Sequence, residues 1–510
     1  MPAGKVYLVG AGPGDPGLIT LKGVEAIREA DCVIYDFLAN ARLLEHARKD
    51  AETVYVGKKG GSRYISQDEI TDLIIKKARR YGNVVRLKGG DPFIFGRGGE
   101  EVLALVKAGI PFEVVPGVTS ATAVPAYAGI PLSHRDHASS ITFLTGQESP
   151  RKKKSAIAWD KLSMGEGTLV FLMGWKNISS IIKKLMDNGK APDTPTAMIR
   201  WGSMAKQTTV IGRLDNIVEL SREKGLKPPV ITVVGNVVNL RKSFNWFETK
   251  PLFGKNVLVT RTLEQAGAFS HLLNRAGAEA INFPTIKIAP PASYKELDRA
   301  IGRLGGYDWA IFTSVNTVKY FFDRLGKLGK DVRELKGVRI CAIGPMTANA
   351  VKRLGIRVDL TPREYRAEAI IEALGRRRIK GKKFLLPRAL KARELLPEEI
   401  KRLGGRIDVA TAYRTLRPRK ETGRIKEMLK EGGIDVVTFT SSSTVTNFVK
   451  GFKKGELGEL LSGVRIACIG PITADTARGF GLAVDIMPGE YTVSALTEAM
   501  AEYYKSDRDS

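Results

Sequence analysis

The sequence predicts an α/β protein with mainly parallel sheets, divided into two halves, the second of which is duplicated within itself. Three observations carry this. Short β-rich runs alternate with amphipathic stretches from residue 5 onward, the pattern of parallel strands joined by crossover helices. A segment of the second half recurs at an offset of about 126 residues, far too long for a solenoid repeat. The length of 510 residues exceeds one compact core, since domains run to roughly 150 residues.

In chain order, Lys5–Val9 (KVYLV) reads as a strand, followed by a Gly/Pro loop and a helix from Leu18 to Glu29. Ala30–Tyr35, Thr53–Val56, Asn83–Leu87 and Phe112–Val115 continue the strand series. The basic run Arg151-Lys152-Lys153-Lys154 sits among Ser and Pro and reads as a solvated loop. A second unit follows, with strands near Thr168–Met173, Pro195–Ile199 and Val230–Val234.

A break falls at Arg241–Lys255, an aromatic and basic stretch ending in Pro251 and Gly254. A new strand, Asn256–Arg261, opens the second half. There Val338–Pro362 (VRICAIGPMTA…) matches Val464–Pro488 (VRIACIGPITA…) at 12 of 25 positions. Phe312–Phe321 (FTSVNTVKYF) matches Phe439–Phe448 (FTSSSTVTNF) at 6 of 10. Val257–Arg261 and Phe384–Arg388 form a third echo. One α/β lobe has been duplicated, and two lobes facing across a cleft are expected.

Composition removes several classes. With 26% charged and 43% hydrophobic residues the chain is ordinary folded protein rather than a disordered one. Cys32, Cys341 and Cys468 are widely spaced without a CxxC, which excludes a disulfide framework and a thiolate zinc site and fits a reducing compartment. The strand-like run starts directly after Met1–Gly4, so no cleavable signal is expected. No stretch approaches the about 18 apolar residues of a membrane span, and a cytoplasmic location is expected. The net charge of +27 attracts an anion: nucleic acid, an acidic membrane or a polyanionic small substrate. Composition alone does not choose among them.

The loop Gly10–Pro16 (GAGPGDP) follows a strand and precedes a helix, where an α/β sheet binds nucleotide-like ligands. It is not the dinucleotide fingerprint, because Asp15 stands where the third glycine belongs, and Pro13 and Pro16 lack the N–H groups a pyrophosphate cradle uses. A ligand with an adenosine and no phosphates fits better, and an ordinary βα turn is the alternative. In Lys88–Glu101 (KGGDPFIFGRGGEE) a strand ends in a double glycine that lets backbone approach a ligand. Asp91 offers a carboxylate to ribose hydroxyls, or caps a turn before Pro92. A third loop, Val115–Thr122 (VPGVTSAT), enters a helix with hydroxyls at its start; each loop alone reads equally as cap chemistry.

Together GAGPGDPGLIT, VIYD, VGKKG, RLKGGDPFIFGRGGEE, VPGVTSA and GIPLSHRD resemble the tetrapyrrole methyltransferases, nearest to uroporphyrinogen-III C-methyltransferase, over roughly residues 4–248. The resemblance implies a two-domain methyltransferase fold with subdomains about 1–117 and 118–248. S-adenosyl-L-methionine would lie between them as methyl donor, leaving S-adenosyl-L-homocysteine. By motif, Pro13, Gly89, Gly90, Asp91, Ile94, Thr119 and Ser120 would line this cofactor, joined by Met173 (in FLMGWK) and Gly202. Asp36 would be the proton acceptor and Lys58 the proton donor, roles in keeping with carboxyl strand ends; the alternatives are a helix N-cap and a solvated charge. Arg97 and Arg135 are candidates for substrate carboxylates, which guanidinium pairs bidentately. His134-Arg135-Asp136-His137 lacks a third ligand at a recognisable spacing, and no metal is expected.

In the second half Phe312-Thr313-Ser314, Gly344–Thr347, Thr440–Ser443 and Gly470–Thr473 each follow a strand and open a helix. Free N–H groups and hydroxyls converge there, a setting that binds anions, although Ser and Thr are also good N-caps. The order VLVTR, FTSVNT, IGPMTA, AYRT, FTSSST, IGPITA resembles uroporphyrinogen-III synthase over roughly 253–505. The resemblance implies a domain over 249–510, with one lobe about 253–285 plus 414–510 and the other about 286–413. Its activity would be that of a cyclising hydro-lyase acting on hydroxymethylbilane. Tyr413 would assist the leaving hydroxyl, or simply pack in its strand. Thr313, Ser314, Thr347, Ser441 and Thr473 are candidates for substrate carboxylates.

The two resemblances are complementary: the second half would make uroporphyrinogen III and the first would methylate it to precorrin-2, for cobalamin or sirohaem. No NAD-binding segment for the next oxidation is evident. A homodimer through the methyltransferase half is implied, with no nucleic-acid or membrane partner. The alternative is a methyltransferase fused to a non-catalytic two-lobed tetrapyrrole sensor; the absence of a recognisable basic recognition helix weakens it.

Overall fold

The computed structural model describes residues 4–57, 65–147, 156–285, 287–364, 367–391, 394–416, 420–453 and 455–509. Lys58 and Arg151–Lys154 lie outside them. The chain forms two compact units, one of residues 1–257 with 272–280 and 500–510, the other of 258–271 with 281–499.

The first unit carries two sheets. Strands β1 (Lys5–Gly10), β2 (Cys32–Tyr35), β3 (Glu52–Tyr55), β4 (Asn83–Lys88) and β5 (Phe112–Val115) form an all-parallel sheet in the order β3-β2-β4-β1-β5. Its strands are apolar on both faces because helices cover both. Alternate residues divide between two cores: Val6, Leu8, Ile34 and Val84 on one side, and Val9, Val33, Val85 and Leu87 on the other. The helix expected from Leu18 starts at Leu21, because the Thr20 hydroxyl accepts from Gly23 N at 3.1 Å and caps it there.

The second sheet contains β6 (Ile141–Thr145), β7 (Thr168–Leu172), β8 (Pro195–Arg200), β9 (Thr208–Arg213) and β10 (Val230–Val234), in the order β6-β7-β10-β8-β9. It is mixed: β6 and β7 are parallel, while β7–β10, β10–β8 and β8–β9 are antiparallel. Residues 201–207 between β8 and β9 are too few for a parallel crossover, which takes a dozen or more. Strands β6 and β9 are short Thr-rich runs without strict alternation, which hid them in the sequence.

The remaining strands are β11 (Asn256–Val259), β12 (Glu279–Asn282), β13 (Lys287–Ala289), β14 (Trp309–Phe312), β15 (Arg339–Ala342), β16 (Lys383–Ala389), β17 (Arg406–Leu416), β18 (Val436–Phe439) and β19 (Arg465–Cys468). One sheet has the order β13-β17-β16-β14-β15, the other β12-β11-β18-β19. The duplication is visible in detail. Asp359 accepts from Ile340 N at 2.7 Å, and Asp485 accepts from Ile466 N at 2.7 Å. Bridges Cys341–Leu360 and Ala467–Ile486 repeat the same return of the chain. The smaller sheet is cross-tied by two threonines: Thr260 Oγ1 donates to the Thr438 carbonyl at 2.7 Å, and Thr438 Oγ1 to the Leu258 carbonyl at 2.9 Å. Among the described residues no helix is long and apolar enough to cross a membrane.

Candidate functional site

Three of the loops singled out in the sequence meet at the carboxyl ends of β1, β4 and β5. Gly12 N donates to the Gly90 carbonyl at 3.3 Å and Gly90 N to the Gly12 carbonyl at 2.7 Å. Gly90 holds φ +69°, a conformation open to glycine at little cost. Gly10 and Gly117 pack backbone on backbone: a Cβ built on Gly10 would lie 2.5 Å from Gly117 Cα, and one on Gly117 would meet the Gly90 carbonyl oxygen.

Beside this junction lies a cavity of about 1050 Å³, lined from the first unit alone. Of the expected cofactor residues, Pro13, Gly89, Gly90, Ile94, Ser120, Met173 and Gly202 line it. So do Asp36 and Arg97. Among the described lining residues Lys88, Arg97, Lys176 and Lys206 are cationic and Asp36 alone is acidic, so the space favours an anionic occupant. Lys206 Nζ sits 3.7 Å from the Trp201 ring centroid, and Phe37 meets Trp201 edge-on at 5.7 Å. Burial holds the Lys206 ammonium below its ordinary pKa.

Among the described residues, five non-glycine residues have positive φ: Phe95, Arg97, Met173, Trp201 and Ser203. The first four line the cavity, and Ser203 Oγ accepts from Asp15 N at 3.1 Å beneath it. Each such conformation costs about 1–3 kcal/mol and gathers where a site requires it.

A row of charge runs into the cavity wall from beneath. Arg86 Nη2 donates to Asp36 Oδ2 at 3.1 Å, Nε to Glu101 Oε1 at 3.3 Å and Nη1 to the Leu87 carbonyl at 3.2 Å. Lys88 Nζ and Gln67 Nε2 reach the same Glu101 oxygen, each at 3.0 Å. Asp36 Oδ1 is buried and finds no hydrogen-bond partner among the described residues. Burial, with the Arg86 guanidinium beside it, holds the Lys88 ammonium below its ordinary pKa. Sequence reasoning missed Arg86, Lys88 and Glu101. The available signal was two cations alternating with apolar residues in a central strand covered on both faces.

Other expected residues stand elsewhere. Asp91 is outside the lining, with its carboxylate accepting from Phe93 N at 2.8 Å, Ile94 N at 3.2 Å and Gly117 N at 3.0 Å; it braces the loops, the turn-capping alternative. Thr119 likewise caps the helix Ser120–Tyr127, accepting from Ala121 N at 3.3 Å. Arg135 is exposed and absent from the lining. Arg97 pairs with Glu100 through Nε at 2.9 Å and Nη2 at 2.6 Å, which lowers the Glu100 pKa. His134 Nδ1 accepts from Asp136 N at 3.2 Å within a tight turn. Among the described residues no group of three or more His, Cys, Asp or Glu is placed to hold a metal ion. Burial raises the thiols, Cys32 to about 11 and Cys341 and Cys468 to about 12, so none is an activated nucleophile.

In the second unit Ser314 and Ser441 occupy equivalent N-caps. Ser314 Oγ accepts from Thr317 N at 3.1 Å and Ser441 Oγ from Thr444 N at 3.3 Å. Thr313 is half-buried one residue before its cap. Thr347 and Thr473 are buried in the first turns of Pro345–Lys352 and Pro471–Gly479, with 4% and 5% exposure. They face inward, unlike the exposed Met346 and Ile472 beside them, so neither presents a hydroxyl to a substrate carboxylate as the helices stand. Tyr413, in β17, is buried against Tyr320 with ring centroids 5.7 Å apart.

Two families match the chain: the Tetrapyrrole (Corrin/Porphyrin) Methylases over residues 5–218 and Uroporphyrinogen-III synthase HemD over 267–498. The chain is 35% identical over 502 residues to the porphyrin biosynthesis protein HemD of Ruminiclostridium josui, covering 98% of both. It is 42% identical over 335 residues to a uroporphyrinogen-III C-methyltransferase of Bacillus subtilis, covering 66% of this chain and 68% of that protein. It is 51% identical over 237 residues to the S-adenosyl-L-methionine-dependent uroporphyrinogen III methyltransferase of Methanosarcina barkeri, covering 46% of this chain and 93% of the relative.

Proposed function

The chain belongs to the tetrapyrrole-biosynthesis family in which a tetrapyrrole methylase is joined to a HemD-type uroporphyrinogen-III synthase domain, and on that premise we propose that it catalyses two consecutive reactions. The second half closes hydroxymethylbilane to uroporphyrinogen III with inversion of ring D. The first half then methylates that product at C2 and C7, giving precorrin-2 for cobalamin or sirohaem.

The observation that carries the methylation reading is Asp36: a half-buried carboxylate with one buried, unpartnered oxygen, in a cavity whose other charged lining residues are all cations. Tetrapyrroles crowded with carboxylates suit that lining. The cavity fits the cofactor, because glycine backbone, Pro13 and apolar side chains leave room for an adenosine without supplying a phosphate cradle. When bound, S-adenosyl-L-methionine supplies the methyl group from its sulfonium. The chain's own residues orient the pyrrole carbon in line with that bond. As the new C–C bond forms the ring becomes cationic, and the Asp36 carboxylate takes the proton the methylated ring releases. Lys58, outside the described residues, keeps its proposed part as proton donor.

In the synthase half the helix N-termini at Ser314 and Ser441 offer N–H groups to substrate carboxylates. Thr313 stands at the same edge, while Thr347 and Thr473 support their helices from within. Tyr413 assists loss of the hydroxyl. The same reading has the enzyme working in the cytoplasm without a metal, as a homodimer through the methyltransferase half.

The test is a coupled assay in which hydroxymethylbilane and S-adenosyl-L-methionine are incubated with the purified full chain. Precorrin-2 is the expected product. Accumulation of the unrearranged type I isomer alone removes the synthase assignment and leaves the second half as a binding domain.

A further inference from the structure

Glu101 has no exposed surface, and neither Glu101 nor Arg86 is among the residues lining the cavity. A carboxylate so placed is costly to bury and is retained only with close partners. Its Oε1 takes three donors, from Arg86, Lys88 and Gln67, while Oε2 has none among the described residues. The consequence falls on Arg86. A guanidinium left to itself grips a carboxylate with two parallel N–H bonds. Here Nε is held by Glu101 and Nη1 by the Leu87 carbonyl, so one arm alone, Nη2, reaches Asp36.

We propose that Glu101 is the positioning residue of the methylation site: by holding Arg86 at Nε it restricts the guanidinium to a single bond on Asp36 and leaves Asp36 Oδ1 without a donor, which keeps the carboxylate a competent base. This rests on the methyltransferase function proposed above. With Glu101 uncharged, the released Nε joins Nη2 on Asp36. The second oxygen is then covered and the carboxylate becomes a weaker base. The charged and titratable groups facing this pair are Arg86 and Lys88 on β4, Tyr35 and Tyr55 at the ends of β2 and β3, and Glu100 on the helix Gly98–Lys107. Lys88 sits on the same Glu101 oxygen, so Glu101 is shared between the two cations of β4.

The experiment follows methyl transfer to uroporphyrinogen III by the full chain as a function of pH, in wild type and Glu101→Gln. The expected result is a fall in kcat of about 10²-fold with unchanged KM for S-adenosyl-L-methionine. The acid limb of the kcat profile moves to lower pH, since Asp36 held by two N–H groups is harder to protonate. Glu101→Asp, which keeps the charge, recovers part of the rate. An unmoved acid limb overturns the proposal whatever the fall in kcat, because a residue needed only for folding leaves the limb in place. Should Glu101→Gln fail to fold, the double variant Glu101→Gln/Lys88→Met, which removes one charge of each sign, carries the same comparison. A wild-type chain that transfers no methyl group overturns the function reading instead.

Discussion

The hydroxyls of Ser314 and Tyr413 lie 3.3 Å apart, joining the cap of the helix Val315–Lys327 to the long strand β17. Ser314 Oγ also meets Thr317 Oγ1 at 2.8 Å, so the tyrosine hydroxyl is tied to a helix N-terminus, a place that stabilises negative charge. Tyr413→Phe removes that hydroxyl and keeps the ring on Tyr320. The expected outcome is slower formation of the type III isomer, with a loss of about 1 kcal/mol in stability from the hydrogen bond. Denaturant unfolding and an isomer-resolved rate check both. Ring closure at the wild-type rate would reduce Tyr413 to a packing residue.

Asp36→Asn keeps an oxygen for Arg86 Nη2 and removes the base. Methyl incorporation is expected to fall by about 10²–10⁴-fold, the usual contribution of a general base, while hydroxymethylbilane still closes to the type III isomer. The coupled assay separates the two activities in one sample. Unchanged methylation removes Asp36 from the mechanism.

Gly117→Ala tests the junction of the three loops. Its Cβ would meet the Gly90 carbonyl and the Gly10 backbone, where no flexible side chain can yield. Overpacking of this kind costs about 1–3 kcal/mol, and the displaced Gly90 loop is expected to weaken binding of S-adenosyl-L-homocysteine. Calorimetric titration with that ligand, beside a thermal melt, would show both; a variant that binds with wild-type affinity argues against the loop junction as the cofactor wall.

Glu113 supplies a pH dependence. The ammonium groups of Lys22 and Lys5 hold its carboxyl down at about 2, against an ordinary 4.5. A carboxylate depressed in the folded chain contributes stability that is complete above its unfolded pKa and disappears as pH falls through the folded one. The contribution is therefore present at neutral pH and lost between about 4.5 and about 2. In Glu113→Gln the melting temperature is expected to fall less steeply across that window than in wild type. Parallel curves would show that the two lysines do not act on it in solution.

Much of the fold was legible because short β-rich runs alternate with amphipathic stretches and its loops carry glycine, proline and hydroxyl residues. The duplicated lobes were readable from VRICAIGPMTA and VRIACIGPITA, whose strand, helix and aspartate contacts recur at Asp359 and Asp485. Asp36, Gly89 and Gly90 were readable from motif and position. Asp91 and Thr119 carry the same motif, yet their side chains serve backbone N–H groups, because a short polar residue at a turn satisfies its own chain first. Arg86, Lys88 and Glu101 escaped since their roles exist only in three dimensions. The partners lie on β2, β4 and two helices, and a charged residue in a strand reads as solvent-facing until both faces are known to be covered.

Thr260 and Thr438 hold together strands separated by 178 positions of chain, which sets an order of events during synthesis. When the ribosome has delivered residues 287–416, every strand of the β13-β17-β16-β14-β15 sheet exists. At that moment β11 and β12 still await β18 and β19, their partners for closing the smaller sheet. That early segment spends the translation of some 150 residues, roughly 8–30 s at about 5–20 residues per second, as an unpaired edge. The final strands of the chain therefore act as a clasp, and a message truncated shortly before codon 436 leaves a nearly full-length polypeptide with an open, adhesive edge.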